Sequence, residues 1–218
     1  MAVLTWNESA NKIFETGLDM GVLYVRDSAG DYPLGVAWEG LMSVSEKPGG
    51  AEPTDLWANN VKYATLISAE TFEGSIGAYT YPEAWLACDG MIKHASGAVL
   101  SGQARAYFGL AYRTYVGSEA AGQTAEEKLH VIYGCTAKPS EVSRETMNDS
   151  PAALEMSWDF TTTPASATGY MAVSKITLDS RNLSENGLAA VKDALFGTVA
   201  ADPYLPLPDD LLTLAATV

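Results

Sequence analysis

The chain has 218 residues, enough to bury one substantial hydrophobic core, and this length does not require a second domain. Hydrophobic residues make up 47% of the chain and charged residues 18%, a balance that excludes an intrinsically disordered protein. The formal net charge of -14 argues against a protein that grips nucleic acid, because phosphate binding needs clustered lysine and arginine. Acidity that merely keeps an abundant protein soluble would give the same number.

The N-terminal residues MAVLTWNESANKIFETG show no basic region followed by a long apolar region, so we expect no secretory signal and synthesis in a cytoplasm. Residues 1–19 are expected to be irregular, with a short helix considered at 11–14. A first strand is expected at 20–26, and a half-buried strand from Leu34 onward. The inward face of that second strand would carry alternate apolar residues: Leu34, Val36, Trp38, Met42 and Val44.

Residues 46–60, EKPGGAEPTDLWANN, collect two prolines and two glycines and therefore predict a long loop. A loop of this length in a compact domain is usually functional, and Trp57 would be an aromatic anchor for a partner unless it folds back onto its own sheet. A second long strand is expected at 61–81, bent or bulged near Gly74 and Gly77. The segment PEAWLAC then predicts a short helical turn that ends at Gly90.

Alternating apolar residues predict four further strands, at 103–116, 128–137, 152–162 and 170–179, and the first two should be antiparallel neighbours. One helix is expected at Glu185–Phe196, with Ser184 as its N-cap and Gly197 after its end. Residues 198–218 contain three prolines and several leucines, which favours a C-terminal arm buried against a neighbouring subunit. The pattern as a whole predicts a mainly β fold, a β-sandwich or barrel with one flanking helix.

Catalytic and metal-binding patterns are weak. His130 lies on the expected polar face of a strand, where a solvent-facing or interface histidine is favoured over a catalytic base, and His94 lies in a loop. Cys88 and Cys135 lack CxxC spacing, so we expect no metal site and interpret both as small hydrophobic residues, although a disulfide stays open. Glu155 and Asp159 share one strand face, as carboxylates do on many acidic surfaces. We therefore expect no enzyme and no cofactor.

Five stretches closely resemble the major tail protein, or tail tube protein, of long-tailed non-contractile bacteriophages (siphophages), particularly the group that infects Gram-positive bacteria. They are FETGLDMGVLYV at 14–25, the whole of 32–90, FGLAYRTYVG at 108–117, KLHVIYGCTAKPS at 128–140 and LPLPDDLL at 205–212. The resemblance runs nearly from end to end and keeps the order of the family. One departure is Lys47-Pro48-Gly49-Gly50-Ala51-Glu52, where the family's loop reads roughly SPSGAE.

The resemblance implies one tail tube domain over residues 1–218, a β-sandwich with an N-terminal arm at 1–19, a stacking loop at 46–60 and a C-terminal arm at 198–218. It also implies a structural virion protein, assembled in the host cytoplasm, whose hexameric rings stack into the hollow tail tube. The partners would be other copies of the chain, the tape measure protein, the tail terminator and the distal tail protein. The genome would pass through the lumen without specific binding, and no membrane would be involved.

Two sets of residues follow as candidates. The positions expected to contact an adjacent ring are Pro48, Gly49, Gly50, Glu52 and Trp57. The acidic positions expected to line the lumen and repel phosphates are Glu39, Glu70, Glu73, Glu155 and Asp159.

Two functions from other classes are weighed against the tube. A virion-displayed module that binds carbohydrate on the host surface would need an exposed aromatic platform, which Tyr107 and Tyr115 could supply. A hydrolase would use a carboxylate pair such as Glu155 and Asp159.

Overall fold

The computed structural model describes residues 6, 12–68, 70–119, 122–144, 146 and 153–218. Its strands are β1 (Ile13–Val25), β2 (Gly35–Ala37), β3 (Leu41–Gly50), β4 (Pro53–Ala58), β5 (Val61–Ile67), β6 (Glu70–Ala78), β7 (Ile92–Lys93), β8 (Val99–Leu100), β9 (Phe108–Ser118), β10 (Gly122–Ala137), β11 (Met156–Thr162) and β12 (Lys175–Asp179). The helices are α1 (Trp85–Cys88), α2 (Glu185–Phe196) and α3 (Pro208–Ala215). The expected mainly β fold is confirmed.

Eight strands form one antiparallel sheet in the order β2-β1-β9-β10-β11-β6-β3, with β12 also paired to β10. The sheet curls, because one apolar cluster contains residues from both of its halves, such as Leu23 of β1, Leu110 of β9 and Ile76 of β6. The two halves approach each other where Leu41 of β3 packs over Gly21 of β1, so closely that a Cβ at Gly21 would displace the Leu41 side chain. The predicted sandwich is therefore one continuous sheet folded over its own core.

Strands β1, β9 and β10 have a core on each side. Their inner side faces the cluster of Leu23, Leu110 and Ile132, which also holds Trp38, Trp85 and Trp158. Their outer side packs under α2 and α3, where Val191, Leu195 and Leu211 cover Tyr24, Ala111, Val131 and Tyr133. Hydrogen bonds fasten this helical layer, because the Tyr24 hydroxyl donates to the Leu195 carbonyl at 2.5 Å and the Tyr133 hydroxyl donates to the Pro206 carbonyl at 2.9 Å.

The helix predicted at Glu185–Phe196 is confirmed at both ends. The Ser184 hydroxyl accepts the Gly187 N–H at 2.9 Å, which satisfies one of the free donors of the first turn. Gly197 ends the helix with φ +75°, in the left-handed region that glycine adopts at least cost. The short helical turn before Gly90 is also present, as α1.

Parts of the two predicted terminal arms belong to the folded body of the chain. Ile13 to Asp19 belong to β1 and pair with β9 up to Ile13↔Ser118, so this part of the N-terminal arm is a strand of the main sheet, and the helix considered at 11–14 is absent at 13 and 14. Asn11 lies outside the described residues. In the C-terminal arm, Leu205 and Leu211 are buried in the chain's own second core, because α3 packs on α2. A neighbouring subunit is not needed to explain these two leucines.

No bulge lies at Gly74, where β6 pairs in unbroken register with β11 and β3. The irregularity expected near Gly77 is present, because the pairing with β3 shifts between Leu41↔Ala78 and Ser43↔Gly77, and the extra residue, Met42, belongs to β3. Both glycines also serve close packing. A Cβ at Gly74 would meet the Ser45 carbonyl and come within 2.5 Å of the Phe160 ring, and a Cβ at Gly77 would come within 2.5 Å of the Ser43 hydroxyl.

Strand limits also shift. The strand predicted from Leu34 is interrupted by a turn with Gly40 at φ +75°, and Leu34 itself is 52% exposed rather than inward-facing. The strands predicted from 103, 152 and 170 begin at Phe108, Met156 and Lys175.

Candidate assembly surface

The segment predicted as a loop is built of strands. β4 and β5 form a separate two-stranded sheet, which we call the arm, joined by Asn59 and Asn60 with φ of 51° and 62°. Two successive residues in the left-handed region form the tight turn that fits the twist of a hairpin, and asparagine tolerates it well. The arm continues the β3–β6 pair outward beyond the partners Gly50↔Glu70.

The predicted stacking residues therefore lie in extended backbone. Pro48, Gly49 and Gly50 pair with Phe72, Thr71 and Glu70 at the end of β3. The prolines and glycines do not break the ladder, because β3 lies at the edge of the sheet, where a missing N–H is tolerated. Glu52 donates its N–H to the Ser68 hydroxyl at 3.2 Å, and Trp57 lies in β4, 68% exposed, rather than folded back onto the sheet.

The two faces of the arm differ. An extra residue, Tyr63, bulges out between the partners Leu56↔Ala64 and Trp57↔Lys62, and it shifts Val61 onto the face of Ala64. Because paired residues of antiparallel strands project on the same side, one face carries only Thr54, Leu56, Ala58, Val61, Ala64 and Leu66. We call this the apolar face of the arm.

The opposite face of the arm carries its charges. Asp55 accepts a hydrogen bond from the Thr65 hydroxyl at 2.9 Å and forms an ion pair with Lys62 at 2.7 Å. Trp57, opposite Lys62, shares this face. The sequence gives no direct sign of this division, because VKYATLI alternates as if Val61, Tyr63, Thr65 and Ile67 were one face.

The apolar side chains of the arm are largely exposed: Leu56 is 40%, Val61 60% and Leu66 56% exposed. A two-stranded hairpin without a covering layer is marginally stable in water. Contiguous exposed apolar residues on such an element are typical of protein interaction sites. The arm is therefore the strongest candidate for a contact with another protein.

The five acidic candidates do not form one group. Glu39 lies in the turn between β2 and β3, Glu70 is the first residue of β6, and Glu155 precedes β11. Glu73 and Asp159 do project from the same outer face of β6 and β11, where Glu73 forms an ion pair with Lys138 at 3.0 Å. The same face also carries Lys47, which pairs with Glu73, and a set of small hydroxyl side chains: Ser43, Ser45, Ser75, Ser157 and Thr161. All five acids are exposed.

A polar cavity of about 680 Å³ opens between β1 and β3, and sequence reasoning missed it. Glu46 of β3 spans it by accepting hydrogen bonds from the Tyr112 hydroxyl and the Lys175 ammonium. Opposite lies Glu15 of β1, 2.6 Å from the Lys128 ammonium. These side chains come from five strands, β1, β3, β9, β10 and β12, spread from Glu15 to Lys175, so no local motif could have indicated the cluster.

Burial and hydrogen bonding together set the pKa values of this cluster. Burial raises the pKa of Tyr112, and the hydrogen bond to the Glu46 carboxylate raises it further. Burial acts to raise the pKa of Glu15, but the hydrogen bonds from Lys128 and Thr114 outweigh it and hold the pKa below its usual range. The carboxylates and ammonium groups of the cluster are thus paired with each other.

His130 was predicted to face solvent or an interface, and this is wrong. It is 6% exposed, stacks on the Tyr112 ring at 4.8 Å, and its Nε2 lies 2.9 Å from the Thr114 hydroxyl. Burial, together with the nearby Lys175 charge, lowers its pKa. The residue faces inward because the sheet curls and brings β3 over this part of β10, which alternation within one strand does not indicate.

Among the described residues there is neither a metal-binding cluster nor a disulfide. No three histidine, cysteine, aspartate or glutamate side chains there are grouped to hold a metal ion. Cys88 and Cys135 are both buried and unpaired, and burial raises the pKa of the Cys88 thiol to about 12. None of the described helices is long and apolar enough to cross a membrane.

The structure favours neither alternative function: the two tyrosines of the expected aromatic platform lie far apart, and the two carboxylates lie outside the polar cavity. Tyr107 lies just before β9 and packs near Arg26, whereas Tyr115 lies far along β9 and hydrogen bonds Asp19 at 2.8 Å. The eight residue steps from Tyr107 to Tyr115 span about 26 Å in an extended chain, too far for one aromatic platform. Glu155 and Asp159 are exposed and do not line the polar cavity.

The chain matches no protein-family model and no curated protein sequence.

Proposed function

We propose that this protein is a structural virion protein that forms the tail tube of a siphophage. Copies of the chain associate into hexameric rings, and the rings stack into a conduit that carries the genome from the capsid to the host cell. The tape measure protein, the tail terminator and the distal tail protein are the further partners that this proposal includes.

The observation that carries the proposal is the arm. It projects beyond the main sheet and exposes Leu56, Val61 and Leu66 on a face without ionisable side chains. Fully burying a leucine or valine side chain contributes about 1.5–3 kcal/mol. A contact with another copy would cover this face, and the arm's reach beyond the body suits a link between stacked rings.

The free edge of β3 supports ring formation. Among the described residues, β3 pairs with β6 alone, so the backbone groups along its other side have no strand partner. Proteins avoid long free edges by covering them or by closing the sheet, and closure across subunits would remove this edge.

The charge of the chain supports its role as a conduit. With a formal net charge of -14, the protein repels phosphates, and DNA would slide along it without binding. We assign the lumen to the outer face of β3, β6 and β11. Its small hydroxyl side chains offer no base-stacking platform, and Glu73 and Asp159 project from it, while its one lysine of β3, Lys47, lies directly opposite Glu73.

Electron microscopy of the purified protein at increasing concentration tests the proposal. We expect rings and hollow filaments from the unmodified chain. In a matched variant, residues 51–69 are replaced by Asn-Gly, which closes a two-residue turn on the existing pair Gly50↔Glu70. This variant should fold, as judged by circular dichroism, and form no stacked filaments.

Two outcomes would contradict the proposal. One is an unmodified chain that stays monomeric at every concentration, even with tail initiation proteins present. The other is an arm-deleted variant that stacks as well as the unmodified chain.

A further inference from the structure

The arm leaves the molecule at one end of the curled sheet, and a second apolar hairpin lies at the opposite end. β6 begins beside the arm at Glu70 and runs to Ala78, and a strand of this length spans about 26 Å. The chain beyond Ala78 forms α1 and then the β7–β8 hairpin before it enters β9 at Phe108. We call β7 and β8, with the turn between them, the distal hairpin.

Backbone and side-chain contacts fix this segment at the end away from the arm. Tyr79 donates its N–H to the Gly40 carbonyl at 2.9 Å, next to the first residue of β3. The Trp38 indole donates to the Thr80 carbonyl at 2.9 Å, and Arg105 bonds the Asp89 carboxylate at 3.0 Å. Hydrogen bonds therefore anchor the chain on both sides of the distal hairpin to the body.

The distal hairpin exposes apolar side chains of its own. Ile92 is 54% exposed and Leu100 48%, and because they are paired they project on the same side. Val99, opposite Lys93, is 48% exposed. Lys93 forms an ion pair with Glu83 at 2.9 Å, so the neighbouring charge is neutralised within the segment.

Charge distinguishes the two ends. Residues 51–70 carry three carboxylates, Glu52, Asp55 and Glu70, against the single base Lys62. Residues 79–107 carry two carboxylates, Glu83 and Asp89, and two bases, Lys93 and Arg105, so this segment is neutral in a chain of net charge -14. An acidic arm approaching another copy of an acidic chain meets the least repulsion at such a neutral surface.

We propose that the distal hairpin of one copy is the surface that receives the apolar face of the arm of the next copy. Leu56, Val61 and Leu66 would pack against Ile92 and Leu100. Because the two surfaces are different and lie at opposite ends, the contact is head-to-tail and propagates into a filament rather than closing as a dimer. This inference rests on the proposed stacking function and names the partner surface for it.

Two double substitutions test the pairing. The arm variant is Leu56→Glu with Leu66→Glu, and the distal variant is Ile92→Glu with Leu100→Glu. The control is Tyr170→Glu with Met171→Glu, at side chains 73% and 86% exposed near Thr168, which hydrogen bonds Asp209 of α3. Circular dichroism establishes that each variant is folded, as expected for exposed positions.

Association is then measured by analytical ultracentrifugation and electron microscopy. The arm and distal variants should each associate at least about ten-fold more weakly than the unmodified chain and form no filaments, whereas the control should form them normally. A mixture of the two variants retains one intact arm surface and one intact distal surface. It should form a complex of limited size that neither variant forms alone.

The failures are distinguishable. An unmodified chain that does not associate would overturn both the function and this pairing. Filaments from the unmodified chain and the distal variant alike, with none from the arm variant, would retain stacking and overturn the distal hairpin as the receiving surface. A mixture of the two variants that forms no complex would also overturn the pairing.

Discussion

The β9–β10 pair and the arm are both antiparallel hairpins with alternating apolar residues, yet their surroundings are opposite. In β9 and β10, Leu110 and Ile132 face one core while Ala111 and Val131 face the other, and all four are at most 1% exposed. In the arm, Leu56, Val61 and Leu66 remain 40–60% exposed. The same local pattern therefore gives strands that are covered on both faces in β9 and β10 and strands with an exposed apolar face in the arm.

This difference separates stability from assembly. Side chains of β9 and β10 contribute to the folding of a single copy, whereas no layer of the described residues covers the apolar face of the arm. Substitutions in the two regions should consequently affect different measurements, and three matched pairs of variants test this separation.

The largest effect should come from truncating an apolar side chain in each region. Ile132→Ala should lower the free energy of unfolding by about 2–5 kcal/mol, because it removes a fully buried side chain and leaves a cavity. Leu66→Ala should change it by no more than about 0.5 kcal/mol. Urea denaturation gives both free energies, measured at a protein concentration too low for the copies to associate. Equal losses would show that the arm is part of the folded core.

A smaller difference is expected between two glycines of the β3–β6 ladder. Gly74→Ala should cost about 1–3 kcal/mol, since its Cβ would meet the Ser45 carbonyl and the Phe160 ring. Gly49→Ala, near the arm, meets only the Thr71 hydroxyl at 3.2 Å and should stay within about 1 kcal/mol of the unmodified chain. Thermal unfolding followed by circular dichroism measures both. A Gly74→Ala protein as stable as the parent would refute the close packing of Gly74 against Ser45 and Phe160.

The smallest effect concerns acid stability. Arg113 donates two hydrogen bonds to the Asp19 carboxylate, at 2.8 and 2.7 Å, and they hold the pKa of Asp19 below its usual value of 3.8. A carboxylate with a lowered folded-state pKa stabilises the fold above pH 3.8, and this contribution disappears as the pH falls through the folded-state pKa. Because Asp19 is partly exposed, its contribution should be about 1 kcal/mol or less.

Urea midpoints measured between pH 6 and pH 2.5 test this point. Asp19→Asn should be less stable than the parent at neutral pH, and the difference should shrink below about pH 4. Asp55→Asn, in the exposed ion pair of the arm, should follow the parent curve within about 0.5 kcal/mol. A constant difference between Asp19→Asn and the parent at every pH would contradict the electrostatic explanation.

Several elements could be predicted because their signals are local. Helix α2 carries its N-cap, an acidic first turn and a terminal glycine within fourteen residues, and each acts through neighbours in sequence. The interior of β10 could likewise be read from alternation at Leu129, Val131 and Tyr133. The candidate stacking residues lie in the arm and in the end of β3 next to it, but their extended conformation and the division of the arm into two faces did not follow from composition.

The predictions that differ from the structure concern features that are set by contacts between residues distant in sequence. Prolines and glycines at 46–60 indicated a loop, but the edge position of β3 and the pairing with β6 allow them in strands. The apolar face of the arm depends on the single bulge at Tyr63, which reverses the facing of Val61 and is set by the register of pairing. The acidic candidates were chosen from strand faces alone, and the folded sheet separates most of them.

The sequence by itself determined that this chain folds as a mainly β protein with a capped helix, because hydrophobic periodicity and capping act over a few residues. Only the tertiary structure decided which alternating strands, such as β9 and β10, are covered on both faces and which remain exposed in the arm. Coverage depends on the helices and strands that pack above each face, and those come from parts of the chain far away in sequence. The same long-range packing buried His130, Leu205 and Leu211, and it placed the arm and the distal hairpin beyond opposite ends of β6.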